Sequence, residues 1–260
     1  MFFNLNLQNI NIAHICGNSL AEHEESRNHF HTDYELLFVS SGDAEFIMEN
    51  KKCKPAAGDI IFVSPGMIHK IYINQDAPCE LYTIRFPESE MPSELLSEVE
   101  CKAGCYITGT AIKTLFARID DYLQSYNGNH LEGLLRSVLH EILYHFCSEG
   151  AEREPKICNK KIAGVIEYVN ANVIKNFVLK DICKSLKCGK SCFCQEFQHT
   201  MNISVMKYVR VRKIVLAQSL IIRGGKPKEI YVQCGFDDYS TFFRTYKKIL
   251  GRTPSLKTGS

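Results

Sequence analysis

Between Tyr34 and Ile84 the apolar residues come in short runs, broken by Ser-Gly-Asp, Asn-Lys-Lys and Gly-Asp, as in YELLFVSSGDAEFIMENKKCKPAAGDIIFVSPGMIHKIYI. Runs of this length bounded by turn-forming residues predict strands, and their close spacing predicts a compact antiparallel barrel or sandwich. After Ala111 the period changes. Ile112, Leu115, Phe116, Ile119 and Leu123, then Leu131, Leu134, Leu135, Val138, Leu139, Ile142, Leu143 and Phe146, recur at three- and four-residue steps, the repeat of one helix face. Asn127-Gly128-Asn129 divides them into two helices, and so short a connection makes the two antiparallel. Beyond a polar, proline-containing stretch at 148–156 the pattern is helical throughout: 162–172, 179–186, 190–199, a long 205–222, then 228–234 and 239–249. The short helix, turn and helix of 179–199 return at 228–249, an internal duplication of one supersecondary unit.

The expected fold is therefore α+β and multidomain. An N-terminal antiparallel β-barrel occupies 1–105, a helical segment 106–150, and an all-α domain with two helix-turn-helix units 156–260. A chain of 260 residues that is 45% hydrophobic can bury more than one core. No stretch approaches the ~18 consecutive apolar residues of a membrane span. Residues 1–20 lack the basic start, apolar run and cleavage site of a secretory signal. With no secretory signal, the twelve cysteines read as reduced thiols in a cytoplasmic protein.

Charge changes the picture more than composition does. From Lys156 onward there are 20 Lys and Arg against 6 Asp and Glu, which leaves 11 against 23 before it. A part at +14 joined to a part at −12 is the asymmetry of a nucleic-acid-binding half on a neutral or acidic sensing half.

In the second duplicated unit Gly235 supplies the turn, Phe236 packs inward, and Phe242 and Tyr246 lie four apart on a buried stripe. Tyr239, Ser240, Thr241, Phe243, Arg244, Lys247 and Lys248 are left for the outer face. In the first unit Phe193 and Phe197 go inside, and Lys190, Ser191, Cys194, Gln195 and Gln198 outside. An arginine can read guanine bidentately, hydroxyls reach bases or phosphates, and lysines neutralise phosphates. A tandem of such helices predicts a reader of double-stranded DNA.

The segment resembles the DNA-binding domain of the AraC/XylS family of transcription regulators over roughly a hundred residues. The resemblance rests on Gly235-Phe236, Asp238, Ser240, Phe242, Arg244, Lys247-Lys248, Gly251 and Thr253-Pro254 in that order. LKDICKSL and FCQEFQ match in the first unit, and Tyr208, Ile214, Ala217 and Leu220 on the linking helix. Departures are Tyr231 for a small alanine, Asn202 for a glycine, Lys213 for arginine and Gln198 for lysine. The resemblance implies a homodimer, expected here through residues 131–146, and RNA polymerase as a partner if the protein activates.

His29, His31 and Glu35, followed by Gly58, Pro65, Gly66 and His69, resemble the two cupin motifs. There two histidines, a carboxylate and a later histidine converge inside a small barrel on a metal such as Fe(II), Mn, Ni or Zn. The same pattern in the sensing domains of AraC-type regulators implies a small-molecule pocket, often for sugars and without metal. His29, His31, Glu35 and His69 are thus the expected effector pocket, with no cofactor and no enzymatic activity. A metal-binding sensor or a cupin metalloenzyme fused to a DNA-binding domain is the alternative. Cys183, Cys188, Cys192 and Cys194 are spaced closely enough to suggest zinc, yet cysteine acting as a small hydrophobe accounts for most of them. Cys101 and Cys105 fall in an expected loop.

Overall fold

The structure is a computed structural model describing residues 3–7, 9–16, 27–73, 79–99, 102–107, 110–149, 151–152, 155–175, 179–185 and 189–255. Cys101 and Cys188, and the side chains of Cys105 and Lys190, lie outside the described residues. The chain divides into two compact units, Met1–Lys156 and Ile157–Ser260.

The first unit carries strands β1 (Phe3–Asn6), β2 (Asn11–Cys16), β3 (Tyr34–Ser41), β4 (Ala44–Met48), β5 (Lys51–Cys53), β6 (Ile60–Val63), β7 (His69–Ile73), β8 (Glu80–Phe86), β9 (Gly104–Ile107) and β10 (Ala151–Glu152). Its helices are α1 (Leu96–Val99), α2 (Thr110–Ser125) and α3 (Gly128–Glu149). The expected antiparallel fold is present as two sheets: one runs β1-β2-β8-β3-β6-β9-β10, and in the other β4 lies between β5 and β7.

β3 reads as an unbroken apolar run because it is buried on both faces, with two periods of two interleaved along it. Tyr34, Leu36 and Phe38 join Ile60, Phe62, Ile84 and Phe86 in the core beneath α2 and α3. There Phe38 stacks on Phe116 at 4.3 Å and Phe62 on Phe146 at 5.1 Å between ring centroids. Leu37 and Val39, with Ile61, Val63 and Leu81, meet Phe46, Met48 and Ile71 of the second sheet. Glu35 is in step with Leu37 and Val39, so the alternation aims a carboxylate between the two sheets.

The apolar stripe of the segment expected to carry the dimer contact packs within the protomer. Leu131, Leu135, Val138, Leu139, Ile142, Leu143 and Phe146 all belong to the core beneath the large sheet. Apolar area packed on β-sheet is not available to a second copy, and the face of α3 left in solvent carries Gly133, Ser137, Glu141 and Tyr144.

The second unit is helical: α4 (Lys160–Ala171), α5 (Leu179–Ser185), α6 (Lys190–Met201), α7 (Val205–Ile222), α8 (Pro227–Gln233) and α9 (Tyr239–Leu250). Caps set their ends. The Asn159 side chain accepts from the Lys161 and Ile162 amides at the start of α4, and its Nδ2 reaches Glu196 of α6 at 2.7 Å. Asp238 accepts from the Thr241 amide at 2.7 Å to open α9. Asn202 and Gly251 close α6 and α9 in the left-handed conformation, as the Asn202 substitution for glycine requires. Asn159→Ala removes both the cap and the tie to α6, and is expected to lower the stability of this unit by about 1–2 kcal/mol, read as an earlier unfolding midpoint.

Along α7, Tyr208 meets Phe197 of the first helix-turn-helix at 5.7 Å. Further along, Ile214, Ala217 and Ile221 pack with Ile230, Cys234, Phe236, Phe242 and Tyr246 of the second. The buried Lys213 ammonium donates to the Gly235 carbonyl at 2.5 Å and lies over the Phe236 ring. Burial pushes its pKa down.

Candidate functional site

Two places in the fold concentrate chemistry. In the first unit, Glu35 on β3 and His69 at the head of β7 come from different sheets and meet between them. His29 joins through a backbone bridge, its amide donating to the His69 carbonyl at 3.1 Å and the His69 amide donating to the His29 carbonyl at 3.0 Å. His31 is tied in by the Gly66 amide, which donates to its carbonyl at 2.8 Å. The four side chains each offer one ligand atom, and these atoms lie within 4.8 Å of one another.

Each ring is oriented by a carbonyl on its Nδ1: Arg27 O for His29 at 2.8 Å, Asp33 O for His31 at 2.8 Å, and Met67 O for His69 at 2.9 Å. A carbonyl can only accept, so Nδ1 carries the proton in all three rings and a neutral ring presents a lone pair at Nε2. Two of those Nε2 atoms, of His31 and His69, stand 3.1 and 3.0 Å from Glu35 Oε2. Lone pairs of three imidazoles and a carboxylate facing one another are stable only around positive charge, carried by protons or by a metal ion. A divalent metal fits the donor set. Ligand atoms about 2.1 Å from an ion and at right angles to one another lie about 3 Å apart, as these contacts do. Carbonyl-bonded Nδ1 is also the usual second contact of a metal-bound histidine.

Glu35 is fully buried, and its second oxygen, Oε1, accepts from Arg85 Nε at 2.7 Å. Burial pushes the carboxyl up, but His31 and His69 outweigh it and hold it well below the usual carboxylate range. Arg85 was not legible as a site residue. It faces Glu35 only because β8 pairs with β3 in the register Glu35–Arg85, and the one sequence signal was a cation inside an apolar strand. A second polar group, His14 with Glu80 at 2.8 Å and Asp120 at 3.5 Å, was also missed. His14 stacks on Tyr82, whose hydroxyl donates to Asp120 at 2.6 Å, so the group ties β2 and β8 to α2.

The other concentration is the outer face of the two second helices. On α9, Ser240, Thr241, Arg244, Lys247 and Lys248 are exposed while Phe242 and Tyr246 are buried. Tyr239, expected outside, is half-buried against Tyr231 and Phe242, both at 5.8 Å. The bulky Tyr231 of α8 gives it a partner. Phe243 is half-buried beside Tyr239. On α6, Ser191, Gln195 and Gln198 are exposed as expected, but Cys194 is half-buried and Cys192 and His199 are exposed in its place. At 100° per residue, position 194 falls on the flank next to the buried Phe193 and Phe197, whereas 192 and 199 fall beside 195. The angle was available from the sequence.

Residues 182–256 match the family model described as a helix-turn-helix domain, and residues 19–85 that described as a cupin domain. The chain is 26% identical over 244 residues to the uncharacterized HTH-type transcriptional regulator YdiP of Escherichia coli strain K12, covering 89% of this chain and 80% of that protein. It is 22% identical over 227 residues to the lactose operon transcription activator of Staphylococcus xylosus, covering 82% and 79%. Among solved structures, ToxT from Vibrio cholerae aligns over 96% of this chain and 100% of that one, with 15% identity and a TM-score of 0.41.

Proposed function

For a chain that is a DNA-binding transcription regulator of the AraC type with a cupin domain, we propose that α6 and α9 are its two DNA readers and that the His29, His31, Glu35 and His69 cluster is the seat of its effector. The cationic outer face of α9 carries the first half of this reading. Arg244 is the base reader, and Lys247 and Lys248 hold phosphates. α7 is 18 residues long, about 27 Å at 1.5 Å per residue, so readers joined by it reach successive major-groove segments about one turn apart on one face of the duplex. Arg244→Ala is expected to cost about 1–3 kcal/mol on the operator and to relax preference at one base pair. Lys247→Ala is expected to weaken all sequences alike and to lower the salt slope by about one. Titrations on operator and random duplex at several salt concentrations check both, and equal losses on the two duplexes for Arg244→Ala would remove its base-reading role.

The convergence of the His31 and His69 Nε2 atoms on Glu35, with a His29 ligand atom within 4.8 Å, favours a metal-dependent form of the sensing site over a pocket of hydrogen-bonding histidines alone. Fe(II), Mn, Ni and Zn suit three imidazoles and one carboxylate. A bound ion would offer its remaining positions to oxygen donors of a small molecule, a sugar among them. Within the chain, Arg85 fixes the Glu35 carboxylate and the three carbonyls fix the rings. The effector regulates only if it binds one arrangement of the regulator more tightly than another. Metal analysis of the full chain, with a thermal-shift screen of metals, sugars and metabolites, tests this reading. Stabilisation by a metabolite that survives complete removal of metal would return the site to a metal-free pocket.

Residues 1–105 sense, 106–150 form the helical segment that packs on the barrel, and 156–260 bind DNA. The protein acts in the cytoplasm, and no described helix is long and apolar enough to cross a membrane. It is not an enzyme: the cationic second unit serves DNA and no catalytic need. Its homodimer would use the solvent face of α3 around Tyr144, and sedimentation showing monomer alone at high micromolar concentration would remove that contact. RNA polymerase joins the partners if binding activates.

A further inference from the structure

α6 and α9 are the same helix written twice, in a fixed register of 49 residues. Each has 12 residues, and each ends in a left-handed residue, Asn202 and Gly251. Phe193 and Phe197 are buried where Phe242 and Tyr246 are buried, and Cys194 is half-buried where Phe243 is. The exposed sets then correspond one to one: Ser191 with Ser240, Cys192 with Thr241, Gln195 with Arg244, Gln198 with Lys247 and His199 with Lys248. The middle of each exposed face is held by one long, forked side chain, Gln195 on α6 and Arg244 on α9.

Those two side chains ask for different bases. A guanidinium donates twice, to O6 and N7 of guanine. A carboxamide donates to N7 of adenine and accepts from its N6 amino group, a pairing that guanine cannot satisfy. The charge around them differs in the same direction. α9 flanks its reader with Lys247 and Lys248, whereas the matching described positions of α6 hold Gln198 and His199. At these positions α9 supplies counterion release and α6 offers hydrogen-bonding groups.

We infer that the operator carries an A·T pair read by Gln195 under α6 and a G·C pair read by Arg244 under α9, at equivalent places beneath the two helices. This rests on the reading of α6 and α9 as the DNA readers. Because the two positions are equivalent, their preferences exchange with their side chains. Gln195→Arg should turn the A·T under α6 into G·C and leave the other half unchanged. Arg244→Gln should do the reverse.

The experiment is selection of bound duplexes from a randomised pool by the full chain and by the two variants, followed by sequencing. Both side chains are solvent-exposed, and thermal melting confirms that each variant is folded. The expected result is a wild-type motif with one A·T and one G·C position that convert singly, with each variant binding the wild-type motif about 5- to 150-fold more weakly, the span of one lost bidentate contact. Conversion at neither position, or at both with one substitution, overturns the inference while leaving DNA binding intact. Enrichment of no motif over random duplex that is still bound overturns it equally. A wild-type chain that retains no duplex at all instead defeats the parent reading.

Discussion

Gly235→Ala is expected to destabilise the second unit by about 2–5 kcal/mol, whereas Gly251→Ala is expected to cost about 1–2 kcal/mol. Both glycines have φ near +70°, at 72° and 69°, where a Cβ crowds the following carbonyl, so that conformational penalty is common to the two. They differ in what the new methyl group meets. At Gly251 there is nothing within 4 Å. At Gly235 a Cβ would stand 2.4 Å from the Ile174 carbonyl oxygen and 2.8 Å from Lys213 Nζ. Backbone cannot move aside as the end of a side chain can, so the turn or the segment after α4 must shift. That shift breaks the Lys213 bond to the Gly235 carbonyl and disturbs the place where the segment after α4 meets the turn of the second helix-turn-helix. Urea denaturation followed at 222 nm, beside operator titrations, tests the pair. Equal costs at the two glycines would show that the Ile174 carbonyl yields and that the close approach constrains nothing.

How much of this was legible depends on whether a feature is local. The bounds of α7, 205–222, and the break between α2 and α3 at Asn127–Gly128 follow from the helical period and from residues that interrupt it, which act within a few positions. The cluster of His29, His31, Glu35 and His69 was recognisable as a set. Its geometry was not, because Glu35 reaches the inter-sheet space through the alternation of β3, and His69 comes to it from the other sheet. Arg85 lies 50 residues from Glu35 and becomes its partner through strand pairing alone. Tyr239 turned inward for a comparable reason: its position on α9 permits exposure, but Tyr231 on α8 offers an aromatic surface.

His31→Ala is expected to abolish stoichiometric divalent-metal binding and the stabilisation that metal gives the first unit. That stabilisation is about 2.7 kcal/mol at a free concentration 100-fold above Kd. His31 is the informative position because of where it sits. Its side chain is 14% exposed while those of Glu35 and His69 are at 0%, so truncation opens the rim rather than a cavity in the core. Glu35→Gln is the contrasting variant. It removes the charge that Arg85, 22% exposed, pairs with and is expected to cost about 1–3 kcal/mol even without metal, less than a fully buried pair would. A metal site therefore makes the His31→Ala loss vanish when metal is removed, whereas part of the Glu35→Gln loss remains. Metal content of the full chain and its melting with and without chelator separate them. If His31→Ala keeps its metal, the ion lies elsewhere and the three convergent rings carry protons instead. If wild type and His31→Ala both lack metal, the positive charge the site requires must arrive with protons or with a cationic effector.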